Sequence, residues 1–270
     1  MLLLVGCGKM GGALLAGWLA RGTAGAHVPV TIVEPAGAAT AAFRAKPGMT
    51  VIAGAGELPA GVEPDVVVFA VKPQGMEKVV PDYRRFVRPE TVFLSIAAGR
   101  TIGFFESHLG AAPVVRAMPN TPASVGRGIS VACANRAVSA AQRAACTDLL
   151  SAVGEVAWVD DEGLLDPVTA VSGSGPAYVF LLVECLAEAG VEAGLPPDLA
   201  MRLARATVAG SGELLHRTPE SAGQLRRNVT SPGGTTAAAL EVLMAKEGGL
   251  QALLTRAIAA AARRSRELAG

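Results

Sequence analysis

Short apolar runs recur through the first half of the chain, at 2–5, 30–33, 50–53, 66–70, 91–95 and 114–117. None alternates strictly between apolar and polar residues, which is the pattern of strands covered on both faces in a parallel sheet. Stretches with helical spacing, such as 10–21 and 36–45, separate them. Two further strands are predicted at 128–132 and 156–159, flanking a helix at 139–153. Strand, helix and strand repeated in this way predict a doubly wound α/β domain.

After about Asp161 no convincing strand follows. Apolar residues at helical spacing fill 179–193, where Gly194 ends one helix and Pro196-Pro197 begins the next. The pattern continues through 199–215, 235–246 and 250–268. The chain is therefore read as a dinucleotide-binding α/β domain at 1–161 followed by an all-α domain at 162–270. Apolar residues surround most of each late helix, more than so small a domain has room to bury. A homodimer built through the helical half is the expected consequence.

Composition narrows the partners. Lys and Arg total 24 against 23 Asp and Glu, a net charge of +1, so no basic footprint for nucleic acid exists. Hydrophobic residues make up 51% of the chain, which excludes a disordered protein. The longest uncharged apolar-leaning stretch, 167–183, contains Ser172-Gly173-Ser174-Gly175-Pro176. That motif interrupts it short of the roughly 20 apolar residues a membrane helix needs, so a soluble protein with no membrane partner is expected. Cys7, Cys133, Cys146 and Cys185 have neither zinc spacing nor the look of a disulfide framework, so no metal is expected. Buried, reduced thiols and a first strand already under way at Leu2 point to the cytoplasm.

The first candidate site is Gly6-Cys7-Gly8-Lys9-Met10-Gly11, directly after the first strand and opening the first helix. The first glycine permits the tight turn, the second lets backbone approach a pyrophosphate, and the third lets helix and strand pack closely. The helix N-terminus then presents free N–H groups to the phosphates. Glu34 ends the second strand about 20 residues further on, where an acid accepts hydrogen bonds from both ribose hydroxyls and repels a 2′-phosphate. Arg44 is the nearest downstream arginine. Between NADPH and NADH, the residues lean towards NADH.

Other segments carry chemistry at the same kind of position. Val71-Lys72-Pro73 follows the fourth strand, and Asn120 stands between two prolines after another. The 172–178 segment sets small residues and a proline ahead of a helix, and Thr230-Ser231-Pro232-Gly233-Gly234-Thr235-Thr236 does the same for a later one. Free amides at that second helix start favour an anion such as a carboxylate. His27, His108 and His216 lie outside every one of these motifs. A hydride transfer needs no His when the substrate already carries its proton, as an iminium does.

Taken together, GCGKMGGALL at 6–15, VKPQ at 71–74, MPNTP at 118–122, SGSGPAYVF at 172–180 and VTSPGGTT at 229–236 resemble the pyrroline-5-carboxylate reductase family. The order and spacing match across essentially the whole chain. The resemblance implies NAD(P)H-dependent reduction of 1-pyrroline-5-carboxylate to L-proline, the last step of proline biosynthesis. It also implies an N-terminal Rossmann domain and a helical dimerisation domain, with further assembly of five dimers into a decamer. The active site would lie between cofactor and helical domain, with the partner subunit contributing. By the same resemblance, amides around Gly234, Thr235 and Thr236 hold the substrate carboxylate, and the Thr236 hydroxyl, the catalytic group, addresses the ring nitrogen. Ser174 and Glu162 fall at substrate positions. Ala98, Asn120, Asn228 and the Val71-Lys72-Pro73 loop fall at cofactor positions. Two departures stand out: many members lack an acid where Glu34 stands, and 54–58 lacks an Asn that some members use. A dehydrogenase of the β-hydroxyacid or 6-phosphogluconate type would need a Lys or His within 181–194, which has neither. A non-catalytic dinucleotide-binding regulator would not need the 229–236 segment.

Overall fold

The structure, a computed structural model, describes residues 1–269. Eight strands form one sheet: β1 (Leu2–Val5), β2 (Val30–Val33), β3 (Met49–Ile52), β4 (Val66–Phe69), β5 (Val92–Ser95), β6 (Val114–Met118), β7 (Gly128–Ala134) and β8 (Gly154–Trp158). Their order is β3-β2-β1-β4-β5-β6-β7-β8. Strands β1 to β6 are parallel, with Leu2 opposite both Val30 and Val66. The order runs outward from β1 in both directions, so the topological switch point falls between β1 and β4. Each expected strand is present, its ends within one or two residues of the expected ones.

The two last strands carry a feature the apolar runs do not disclose. β7 pairs antiparallel with β6, and β8 then runs parallel to β7. The return is made by a short 3-10 turn, Thr121–Val125, closed by Gly126.

Eleven α-helical segments accompany the sheet among the described residues: α1 (Lys9–Arg21), α2 (Gly37–Thr40), α3 (Met76–Val79), α4 (Ile102–Leu109), α5 (Ala140–Ser151), α6 (Leu165–Val168), α7 (Gly175–Glu192), α8 (Pro197–Arg217), α9 (Ala222–Asn228), α10 (Thr235–Leu243) and α11 (Leu250–Ala269). The helix expected over 36–45 narrows to α2, followed by turns. In compensation, α4 forms where none was expected, capped by Thr101, whose hydroxyl accepts the Phe104 N–H, and buried through Ile102, Phe105 and Leu109.

Alternate strand residues face opposite sides of the sheet. Leu2, Leu4, Val30, Ile32, Val66 and Val68 pack with Leu14, Leu15 and Trp18 on one face. Leu3, Val5, Val67, Phe69 and Phe93 pack with Tyr83 and Phe105 on the other. Phe69 meets Tyr83 edge-on at 5.3 Å and stacks with Phe105 at 5.7 Å. Full burial of such side chains contributes about 1.5–3 kcal/mol each, which is what holds the helices against both faces of the sheet. The Trp18 indole N–H donates to the Leu149 carbonyl at 2.8 Å, so the largest buried side chain is also satisfied.

The chain divides into two compact units, residues 1–173 with the stretch from Ala261 onward, and residues 174–260. In the first, polar links fasten the segment after β8: Arg116 to Glu162 at 2.7 Å and Ser265 to Asp166 at 2.6 Å. In the second, α7 and α8 pack through small residues, and a Cβ on Gly190 would sit 3.3 Å from the Ala200 methyl. Large apolar side chains remain exposed there, including Phe180 and Leu181 of α7, Leu214 of α8 and Val242 of α10. The Ser172–Pro176 motif bends the helical path at Ser174 without ending it, because Pro176 lies in the first turn of α7. By length and composition alone, the helical stretch Glu162–Glu192 is therefore apolar enough to cross a membrane.

Candidate functional site

The glycine loop follows β1 at the carboxyl edge of the sheet, beside the switch point. Gly6 has φ +92°, and a Cβ there would meet Val71 Cγ1 at 2.8 Å. A Cβ on Gly11 would lie 2.4 Å from the Gly6 carbonyl oxygen and 3.0 Å from the Ala70 methyl, so α1 packs against the loop as closely as backbone allows. Gly8 differs from both: nothing lies within 4 Å of the position its Cβ would take. The first intrahelical bond runs from Gly12 N–H to the Gly8 carbonyl at 2.8 Å. The amides of Lys9, Met10 and Gly11 thus head α1 without intrahelical acceptors, around an open face. Packed, open, packed is the arrangement a dinucleotide pyrophosphate fits.

Glu34, following β2, is tied into this loop. Cys7 N–H donates to Glu34 Oε2 at 2.8 Å, and Ala36 N–H donates to Glu34 Oε1 at 2.9 Å. Burial first and the Glu34 charge second push the Cys7 thiol up to about 11. It stays a neutral, unreactive side chain at neutral pH.

The remaining expected cofactor residues of the first unit follow β4, β5 and β6 at the same edge. Val71 stands against Gly6, Lys72 is exposed, and the Pro73 carbonyl accepts the Arg100 Nε–H at 3.1 Å. That bond joins the loop after β4 to the loop carrying Ala98. The Asn120 carboxamide is engaged at both ends, donating to Ser172 Oγ at 3.2 Å and accepting Ile129 N–H at 3.0 Å. Its side chain shapes the loop and holds the 3-10 turn leading into β7.

Glu162 has a structural occupation that its sequence position did not reveal. Its Oε1 accepts from Arg116 Nη1 at 2.7 Å and from Ile102 N–H at 2.8 Å. Arg116, on β6, is 4% exposed. The carboxylate thereby neutralises a buried cation and caps α4.

In the second unit, Ser174 directly precedes α7 with helical backbone angles and no capping side-chain bond. Gly233 has φ +67°, the left-handed turn that brings Gly234 to the N-cap of α10. No side chain caps that end, and the first helical bond joins Ala238 N–H to the Gly234 carbonyl at 3.2 Å. The N–H groups of Thr235, Thr236 and Ala237 accordingly face outward at the positive end of the helix dipole. Thr235 is exposed and Thr236 half-buried. Asn228 lies in an exposed polar cluster, accepting from Gln224 Nε2 at 2.6 Å and donating to Glu220 Oε1 at 3.2 Å. Glu220 escaped the sequence reading; the signal was an acid immediately before the Ser221 cap of α9.

Among the described residues no cluster of His, Cys, Asp and Glu is arranged to hold a metal ion. His108 is occupied locally, its Nδ1 2.8 Å from the Phe104 carbonyl.

Comparison with known proteins agrees with this geometry. Residues 2–99 match the family model described as NADP oxidoreductase coenzyme F420-dependent. Residues 162–268 match the model described as pyrroline-5-carboxylate reductase dimerisation. The pyrroline-5-carboxylate reductase of Pseudomonas aeruginosa is 41% identical over 266 residues, 98% of this chain and 95% of the relative. This chain belongs to the pyrroline-5-carboxylate reductase family.

The Synechocystis pyrroline-5-carboxylate reductase is 40% identical over 98% of this chain and 97% of its own. Among solved structures, the pyrroline-5-carboxylate reductase of Coxiella burnetii superposes with a TM-score of 0.91 at 34% identity, covering 100% of this chain and 98% of that one. The Plasmodium falciparum pyrroline carboxylate reductase with NADP bound gives a TM-score of 0.80 at 29% identity, covering 100% and 98%. Membership makes the chain an oxidoreductase with a nicotinamide cofactor. It also accounts for the apolar helices, since the dimerisation match spans the exposed side chains of α7, α8 and α10. This pyrroline-5-carboxylate reductase relative therefore oligomerises through its helical region.

Proposed function

We propose that the head of α10 at Gly234, Thr235 and Thr236 holds the carboxylate of 1-pyrroline-5-carboxylate through the free N–H groups of Thr235 and Thr236, the Gly234 N–H being donated to the Ser231 carbonyl at 3.0 Å, while the Thr236 hydroxyl addresses the ring nitrogen. The reaction is reduction of that cyclic imine to L-proline, the final step of proline biosynthesis. Bound NADH or NADPH supplies the hydride. A protonated iminium takes it at the C=N carbon, the nitrogen keeps the electron pair, and the resulting secondary amine then takes one proton from solvent to give zwitterionic L-proline, so the hydride step itself needs no proton donor. What the chain must do is orient, and carboxylate and nitrogen are two points that fix a small ring. Positioning of this kind is worth about 7–11 kcal/mol in the best-aligned systems, which is enough to matter without an acid or base. The observation that supports this reading most is the uncapped α10 start behind a left-handed Gly233.

For the cofactor half, Gly6 to Gly11 cradle the pyrophosphate. Val71, Lys72, Pro73, Ala98 and Asn120 shape the pocket edge, and Asn228 is assigned to the cofactor by the family resemblance. Ser174 and Glu162 serve the substrate side, Glu162 through the loop it fixes. Glu34 gives NADH the preference, because a carboxylate at the end of β2 accepts ribose hydroxyls and repels a 2′-phosphate. Two copies pair through the helical half, dimers assemble into a decamer, and the enzyme works in the cytoplasm. Oxidation of NADH and NADPH, followed by absorbance with 1-pyrroline-5-carboxylate, tests the reading. Turnover with NADH favoured is the expected result; strong preference for NADPH would overturn the role given to Glu34.

A further inference from the structure

The last turns of α11, from Ala261 onward, belong to the first compact unit, with the sheet. Ala262, Ser265 and Leu268 are spaced by three, so they share one face of the helix. Ala262 and Ser265 are buried, and the Ser265 hydroxyl donates to Asp166 Oδ1 at 2.6 Å. One turn on, the Leu268 backbone stands against the loop between β5 and α4. Gly99 in that loop has φ +68°, and a Cβ on it would lie 3.2 Å from the Leu268 carbonyl oxygen. The loop has little support of its own, since no described residue accepts a hydrogen bond from the N–H groups of Ala98 or Gly99. Its neighbour Arg100 donates Nε–H to the Pro73 carbonyl at 3.1 Å and lays its guanidinium over the Phe104 ring at 4.7 Å. The segment after β8 braces both sides: Glu162 holds the Ile102 amide at the head of α4, and Asp166 holds Ser265 of α11.

We infer that Ser265 is a positioning residue for the nicotinamide half of the cofactor site, acting through the last turn of α11 on the Ala98–Arg100 turn and never touching the cofactor itself. The inference rests on the assignment of Ala98 and the Val71-Lys72-Pro73 loop to the cofactor given above. A dinucleotide fold divides its ligand between two mononucleotide halves. The glycine loop after β1 serves adenosine and pyrophosphate, whereas the loops after β4 and β5 serve the nicotinamide side. The α11 turn presses on the second half only, at Gly99, and Arg100 carries the constraint on to Pro73. A hydroxyl on a carboxylate is a strong anchor for such a turn. Without it the loop spends part of its time out of the binding geometry, and apparent affinity falls in proportion to the competent fraction. Cofactor at saturation restores that geometry, so the chemical step is spared.

The test uses the intact enzyme, with steady-state kinetics beside calorimetric binding of NADH and of ADP, which carries adenosine and pyrophosphate but no nicotinamide. Ser265→Ala should weaken NADH by about fivefold and leave ADP within about twofold. It should raise KM for NADH to a similar extent while kcat at saturation stays within about twofold. Asp166→Asn keeps an oxygen facing the Ser265 hydroxyl and should fall between wild type and Ser265→Ala; it also carries the test if Ser265→Ala does not fold. Equal weakening of NADH and ADP would overturn the inference, and so would unchanged NADH binding in a variant that melts early, which would leave Ser265 a structural residue only. A fall in kcat with KM unchanged would overturn it as well. A wild type that binds neither NADH nor ADP would sink the glycine-loop reading together with this inference. If the wild type binds both and only the selective loss is missing, the inference falls alone.

Discussion

Glu34 and Cys7 are joined by a hydrogen bond of 2.8 Å from the Cys7 amide to the Glu34 carboxylate, linking the end of β2 to the glycine loop after β1. The acid therefore has two tasks, bracing the loop from inside and offering its remaining lone pairs outward. Replacing it with Ser separates them. Glu34→Ser should raise the NADPH-to-NADH ratio of kcat/KM by about tenfold, equivalent to roughly 1.4 kcal/mol, while weakening both cofactors through the loosened loop. Steady-state kinetics with each cofactor checks this; an unchanged ratio would remove Glu34 from cofactor choice.

Gly11 supports the same loop by having no side chain. A methyl there would meet the Gly6 carbonyl oxygen at 2.4 Å, so α1 would have to withdraw from β1 and β4. Overpacking of this kind costs about 1–3 kcal/mol, so Gly11→Ala should lower Tm by several degrees, whereas Gly8→Ala should leave Tm near the wild-type value and weaken cofactor binding by crowding the open face. Thermal melts with and without NADH provide the comparison. Equal behaviour of the two variants would contradict the packed and open roles.

The Arg116–Glu162 pair makes a different prediction. Arg116 is 4% exposed, and Glu162 retains 27%. Arg116→Ala removes the cation, leaves Glu162 facing a cavity and should cost about 2–4 kcal/mol, somewhat less than a fully sealed pair. Glu162→Gln keeps an acceptor for the Ile102 amide but leaves the arginine charge buried, so it too should melt early. Denaturation midpoints of both variants decide the matter; a wild-type midpoint for Arg116→Ala would deny the pair a structural role.

Stability should also fall on the alkaline side. Burial raises the thiols of Cys7 to about 11 and Cys146 to about 12, against 9.0 for an ordinary thiol, and raises Cys133 as well. Above pH 9 the unfolded chain loses these protons while the folded chain keeps them, so the unfolded state binds fewer protons and stability declines as pH rises. Urea midpoints measured at pH 8 and pH 10.5 should therefore drop, and iodoacetamide should leave Cys7 and Cys146 unmodified in the folded enzyme at pH 8. Rapid labelling of either thiol would contradict their burial.

Much of this molecule is legible in its residues because the sheet is covered on both faces. Runs such as Val66–Phe69 announce strands by continuous apolarity, and the glycine loop is readable because each glycine answers a different steric demand. Pairing direction leaves no such mark: β7 looks like any other run, and its antiparallel return is braced by the Asn120 side chain, which accepts the Ile129 N–H. The same is true of Glu162, whose partner Arg116 lies 46 residues away. Polar side chains advertise chemistry by type, but their partners are chosen by topology.

The division of labour between glycine loop and α10 has one direct test. Wild type and Thr236→Ala are compared for turnover of 1-pyrroline-5-carboxylate at saturating NADH and, separately, for NADH affinity by calorimetry. Loss of a hydrogen bond that tightens in the transition state predicts a fall of about 10²-fold in kcat with NADH affinity unchanged. An unchanged kcat, or a loss confined to NADH affinity, would contradict the assignment of Thr236 to the substrate.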